Sequence, residues 1–170
     1  MVIASNQFRD EEYQKPRQIL EGAGVQVTVA SSSLQEAVGM LGLKVKPDIL
    51  LTDAKMSDYD AVVFVGGMGA TEYWENPAAH ALARDFYRAG KWTSAICLAP
   101  MTLANAGLLK GKRATIWSDA ATDFQTKGVV YTGRAVEKDG KLITGSGPQA
   151  AEEFGRALVE ALGSDPSKGV

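Results

Sequence analysis

The sequence predicts one α/β domain built as a doubly wound, largely parallel sheet between two layers of helices. Three observations point that way. Short apolar, β-branched segments alternate with helical ones along the chain, which implies right-handed βαβ crossovers. Ala61 to Val65 is continuously apolar, as strands buried on both faces of a parallel sheet are. The 170 residues, 45% hydrophobic and 22% charged, are enough for one ordinary core and show no linker, repeat or low-complexity tract that would divide them.

The elements follow in order. Met1 to Ala4 is an apolar start that reads as part of a buried strand. A helix is predicted over Asp10 to Ala23, with Asp10, Glu11 and Glu12 in its first turn, where the helix dipole favours acids, and Gly24 ending it. Pro16 disturbs its first turns. The run Val25 to Val29 predicts a strand, and Lys44 to Leu51 a second. Ala61 to Val65 stops abruptly at Gly66-Gly67, and a helix over Pro77 to Ala89 opens on proline and closes before Gly90. Trp92 to Ile96 is a short buried strand, from which Cys97-Leu98-Ala99-Pro100 turns the chain into a helix over Pro100 to Ala106. Strands at Arg113 to Trp117 and Val129 to Thr132, a hairpin across Asp139-Gly140 and a helix from Ala150 to Leu162 complete the domain. The tail from Gly163 to Val170 reads as frayed.

Composition narrows the function. Eighteen basic and 20 acidic residues give a formal charge of −2, and no basic block could follow a phosphate backbone, so nucleic acid is not an expected partner. No apolar run approaches the roughly 20 residues of a membrane helix. A single cysteine makes no internal disulfide, and no secretion signal is visible, so a reducing cytoplasm is the expected compartment.

In a doubly wound sheet, ligands bind beyond the carboxyl ends of the strands. Three loops leave such ends: Ser5 to Glu12, Gly66-Gly67-Met68-Gly69, and Cys97-Leu98-Ala99-Pro100. A lone cysteine is by default a small buried hydrophobe. A strand-to-helix elbow, however, projects its side chain into the crevice, and the positive end of a helix favours thiolate, the nucleophilic form. Cys97 is therefore expected to be exposed, with a pKa below that of a free thiol. Spacing alone does not choose between Glu11 and Glu12 as an inward-facing acid, and Gly66-Gly67 alone is an ordinary glycine turn.

Several segments together resemble the ThiJ/PfpI superfamily. Ala95-Ile96-Cys97-Leu98-Ala99-Pro100 is similar to its A-I-C-x-x-P elbow, and Phe8-Arg9-Asp10-Glu11-Glu12 to its F-x-D-x-E segment. Val65-Gly66-Gly67 is similar to its P-G-G turn, and Ser146-Gly147-Pro148 to its S-R-G-P segment. The resemblance implies a flavodoxin-like three-layer sandwich, with Cys97 as nucleophile and Glu12 as the acid that hydrogen-bonds it. Backbone N–H groups near Gly66, Gly67 and Leu98 would form the oxyanion hole. Asp10, Trp117 and Asp119 are auxiliary candidates. The family's usual dimers or higher assemblies imply a homo-oligomer.

The departures from the family matter as much. Leu98 stands where protease-like members carry histidine, Ile116-Trp117-Ser118-Asp119 supplies none, and Gly147 replaces an arginine. His80, the one histidine, falls on the helix from Pro77, away from the crevice. Amide hydrolysis needs a group to protonate the leaving amine, so proteolysis ranks last; it would require Asp119, or His80 of a second copy. The leading expectation is glyoxalase- or deglycase-type action of Cys97 and Glu12 on small reactive carbonyls, with no metal or cofactor. The alternative is a redox-responsive or chaperone-like protein in which Cys97 climbs the oxidation ladder without a resolving cysteine.

Overall fold

The structure is a computed structural model that describes residues 1–163. In chain order its regular elements begin with α1 (Asp10–Gly22), β1 (Ala30–Ser31), β2 (Ala37–Val38), β3 (Lys44–Val45), β4 (Ile49–Leu50) and β5 (Ala61–Phe64). They continue with α2 (Pro77–Arg88), β6 (Trp92–Ile96), α3 (Pro100–Asn105), β7 (Arg113–Ala114), α4 (Ala121–Thr126) and β8 (Val130–Tyr131). β9 (Val136–Asp139), β10 (Leu142–Gly145) and α5 (Ala151–Gly163) end the described residues.

The apolar start of the chain runs through the middle of the sheet, where Val2 pairs in parallel with both Ala30 and Phe64. The sheet order is therefore β4, β1, Val2, β5, β6, β10, β9, and only β9 is antiparallel to its neighbour. Alternating side chains divide the core into two faces, as strand geometry requires. Val62 and Phe64 pack with Leu82, Phe86 and Leu103 of α2 and α3, whereas Val63 and Ile96 pack with Leu20 of α1 and Phe154 and Leu158 of α5. The outcome is the predicted three-layer, doubly wound architecture, and it brings the carboxyl ends of β5, β6 and β10 together.

Several predicted elements are corrected. Residues 25–29 form no ladder, because the pairing begins at Ala30; Val29 contributes its carbonyl to the N–H groups of Asp48 and Ile49 instead. The predicted strand over Lys44 to Leu51 is two strands, since buried Pro47 interrupts it: β3 pairs with β2 in a small antiparallel hairpin, and β4 joins the main sheet. The strand predicted over Arg113 to Trp117 ends at Ala114. Thr115 N–H turns to Thr144 Oγ1 (2.9 Å) and Trp117 N–H to the Cys97 carbonyl (2.9 Å), so these residues leave the ladder to brace the elbow. The strand over Val129 to Thr132 shortens to β8, paired with β7.

The helix α4, a 3₁₀ stretch over Met68–Tyr73 and the β2–β3 hairpin are absent from the sequence prediction. Each is too short for a periodic pattern to stand out. α1 runs straight through Pro16, whose missing N–H costs only the bond to the Glu12 carbonyl one turn earlier. Of the tail expected to fray, Gly163 ends α5 and the remainder lies outside the described residues.

Phe154 is fully buried between α5 and the end of β10, where a Cβ on Gly145 would come within 3.1 Å of its ring. Phe154→Ala should lower unfolding free energy by about 3–5 kcal/mol. Urea denaturation checks this, and a loss under 1 kcal/mol, a value small on the same scale, would mean the ring is not central to this face.

Candidate active site

Cys97 follows β6 directly and sits at φ +64°, a left-handed conformation that a residue with a side chain adopts only when its surroundings enforce it. Here all three consecutive peptide units of the elbow are fixed. The Cys97 N–H donates to the Gly145 carbonyl at the end of β10 (2.9 Å), and the Cys97 carbonyl accepts from Trp117 N–H (2.9 Å). The Leu98 carbonyl accepts from the Trp74 indole Nε1 (2.8 Å), and Ala99 N–H closes the turn onto the Ile96 carbonyl (3.1 Å). With its peptide planes held, the turn aims the Leu98 N–H back at the sulfur, and Gly67 N–H reaches it from the neighbouring loop.

Glu12 enters from α1. The buried residues Glu12, Pro16 and Leu20 recur at four-residue spacing, so Glu12 occupies the first position of the stripe that α1 turns toward the core. Its side chain has 0% exposure, and neither carboxyl oxygen meets a hydrogen-bonding nitrogen or oxygen among the described residues. The polar group to which it is coupled is the Cys97 sulfur. Glu11 points elsewhere, with Oε2 2.7 Å from Arg9 Nε. The choice between the two acids that spacing left open is thus resolved in favour of Glu12 as the one facing the thiol.

The glycine turn has a steric reason. A Cβ on Gly66 would lie 2.5 Å from the Ile96 carbonyl oxygen, 2.6 Å from Cys97 Cβ and 2.7 Å from Glu12 Oε2. Gly67, at φ +107°, would bring a Cβ within 2.4 Å of Arg9 N. Only glycine lets β5 end this close to both the elbow and the start of α1.

Electrostatics separate the pair from ordinary residues. Burial pushes the Glu12 carboxyl up to about 8, against smaller downward pulls from Cys97 and Arg9. Burial and the facing Glu12 carboxylate likewise push the Cys97 thiol up, while the N–H groups of Gly67 and Leu98 pull it down. Each group resists ionising beside an ionised partner, so the two titrate as one coupled unit. This corrects the expectation of an exposed thiol with a depressed pKa. Cys97 is only 6% exposed, and α3 is a six-residue helix that begins three residues later, too little to offset desolvation.

The remaining candidates divide. Asp10 turns away from the thiol: its Oδ2 accepts from Leu41 N–H and it fills the space beside Gly39, pinning the β2–β3 hairpin. Asp119 lies exposed in a 3₁₀ turn. Trp117 braces the elbow through its backbone, while its indole is 40% exposed against Gly147. His80 is buried on α2, where Nε2 donates to the Trp74 carbonyl at 2.7 Å, so no imidazole of this chain faces Cys97. Two further residues hold the site in ways the sequence does not specify. Trp74, just past the glycine turn, anchors the elbow through its indole; Arg9, whose N–H donates to the Gly66 carbonyl (2.9 Å), sits at a variable position of a motif.

The DJ-1/PfpI family model matches residues 1–161. The chain belongs to the DJ-1/PfpI family. A protein of Methanocaldococcus jannaschii is 42% identical over 95% of this chain and 80% of its own length. The crystal structure of a ThiJ/PfpI domain protein from Brachyspira murdochii superposes with a TM-score of 0.94 at 30% identity, over 96% of this chain and 95% of that one. Drosophila melanogaster DJ-1beta superposes at 0.87, also at 30% identity, over 96% and 89%. The flavodoxin-like α/β fold expected from the sequence is therefore that of the DJ-1/PfpI family. No helix among the described residues is long and apolar enough to cross a membrane.

A buried carboxyl raised in pKa has a sign that stability measurements can read. Between the ordinary carboxyl value of 4.5 and about 8, folded Glu12 holds a proton that the unfolded chain has released. Stability from this group is therefore fully present at low pH and is lost as pH rises through that window. The stability of Glu12→Gln relative to wild type should accordingly rise from acid to pH 8, by up to a few kcal/mol. Denaturant titrations across the range check it, and a flat difference would place the Glu12 proton elsewhere.

Proposed function

We propose that the protein is a cysteine-dependent enzyme of glyoxalase or deglycase type, acting on small reactive carbonyls such as 2-oxoaldehydes or their thiol and amine adducts. The observation that carries this reading is the Glu12 carboxyl, fully buried against Cys97 with no nitrogen or oxygen partner. Such a group is costly to bury. It serves as a proton carrier beside a nucleophile, because its raised pKa lets it both give and take a proton near neutrality.

With methylglyoxal the steps balance without metal or redox cofactor. The Cys97 sulfur forms a bond to the aldehyde carbon, and the proton of the thiol–carboxyl pair goes to the carbonyl oxygen, giving a hemithioacetal. Glu12 then moves a proton from the former aldehyde carbon to the adjacent carbon while the hydroxyl proton passes from the former aldehyde oxygen to the ketone oxygen, which turns the adduct into a lactoyl thioester. Water cleaves the thioester, releasing lactate and returning the thiol. The N–H groups of Gly67 and Leu98 are the backbone donors on hand for the charge that passes from sulfur to oxygen.

One observation favours this reading over hydrolysis. Amide hydrolysis needs an acid for the leaving amine, and His80 is committed to the Trp74 carbonyl.

The test is lactate formation from methylglyoxal. Cys97→Ala should reduce it to the buffer rate, and Glu12→Gln should lower kcat by roughly 10²–10⁴-fold, the span of general acid–base catalysis. Undiminished turnover in Cys97→Ala would refute the reading.

A further inference from the structure

Beside the elbow runs an open groove of about 500 Å³ that the Cys97–Glu12 pair does not itself line. Its walls are tied to the elbow through the backbone. Arg9 N–H donates to the Gly66 carbonyl, Trp117 N–H donates to the Cys97 carbonyl, and Ser146 and Gly147 follow Gly145, which accepts the Cys97 N–H.

The groove has a definite charge. Arg9 and Lys15 face one acid, Glu11, leaving a net single positive charge. Glu11 Oε2 takes Arg9 Nε at 2.7 Å and Oε1 takes Nη2 at 3.2 Å, which fixes the guanidinium plane and leaves its Nη1 unengaged among the described residues. Lys15, one turn further along α1, is exposed and makes no direct ion pair among the described residues. Arg9 also interacts electrostatically with Glu12 and with the Cys97 sulfur, so the charge of the groove is felt at the pair.

The groove also has an apolar wall. The Trp117 indole, 40% exposed, lies against Gly147, where a Cβ would come within 2.8 Å of the ring. Any other residue at 147 would push the indole aside. An oriented guanidinium, a nearby ammonium and an exposed aromatic face suit a small organic anion. The net charge of one matches a carboxylate better than a phosphate dianion, which would also face Glu11.

We propose that this groove is a specificity subsite for a carboxylate, so that the preferred substrates of Cys97 are carbonyl compounds or adducts bearing a carboxylate held by Arg9 and Lys15. The inference rests on the carbonyl-directed reading of Cys97, but the subsite can be measured without turnover.

The experiment follows the Trp117 indole N–H resonance of the full chain during titration with lactate, with its neutral counterpart lactamide, and with inorganic phosphate. Lactate should give a saturable shift and lactamide none. Arg9→Gln and Lys15→Gln should each weaken lactate about tenfold, the scale of one lost charge-assisted hydrogen bond, whereas Glu11→Gln should tighten it. Equal responses to lactate and lactamide, unchanged affinity in both cation variants, or tighter binding of phosphate would overturn the proposal. Cys97→Ala should keep the lactate response. A lactate response without methylglyoxal turnover in the wild type overturns only the reading of Cys97, and turnover without a lactate response overturns only the subsite.

Discussion

The conformation of Cys97 depends on bonds made by segments distant in sequence. A side-chain-bearing residue at φ +64° is unfavourable in isolation, and it persists because β10, Trp117 and the Trp74 indole each hold one peptide unit of the turn. That requirement explains features that otherwise look unrelated. The chain after β7 leaves its ladder early so that Trp117 can reach the elbow, and Trp74 is itself secured at its carbonyl by His80 and Asn105. The single histidine of this chain thus contributes to the site only at a remove, as part of the scaffold behind a clamp.

The second constraint is the closeness of three backbones. β5 ends at two glycines because Glu12, Cys97 and Arg9 occupy the space that side chains there would need. The same crowding desolvates the acid and the thiol together, and desolvation is what binds their titrations into one. Packing and chemistry have a single cause here: the geometry that brings the sulfur to the carboxyl also removes the water that would have let each ionise independently.

Much of this was legible in the sequence, for identifiable reasons. β6, α2, the Asp139-Gly140 hairpin and α5 carry strong local signals: an unbroken apolar run, a proline at one end and a glycine past the other, a two-residue turn. The elbow was visible because glycine-rich and cysteine-bearing turns sit at the ends of two adjacent buried strands. What was not legible depends on contacts remote in sequence. Nothing around Ile116 signals that its neighbours desert the ladder, and the two-residue strands β2 and β3 are too short to show alternation. The burial of Cys97 is not legible locally, because the carboxyl and glycines that close over the elbow come from α1 and the end of β5. Glu12 could have been chosen over Glu11 from its four-residue register with Pro16 and Leu20, the spacing that places it on the buried face.

That register has an implication for what the fold itself requires. Glu12 stands at a position where packing alone would favour leucine or methionine. Leucine in its place would fill the same space without a desolvation cost and leave the surrounding strands as they are, with the thiol facing an apolar group. The fold therefore does not need the acid; the carboxyl is the one buried group in this stripe that packing cannot account for.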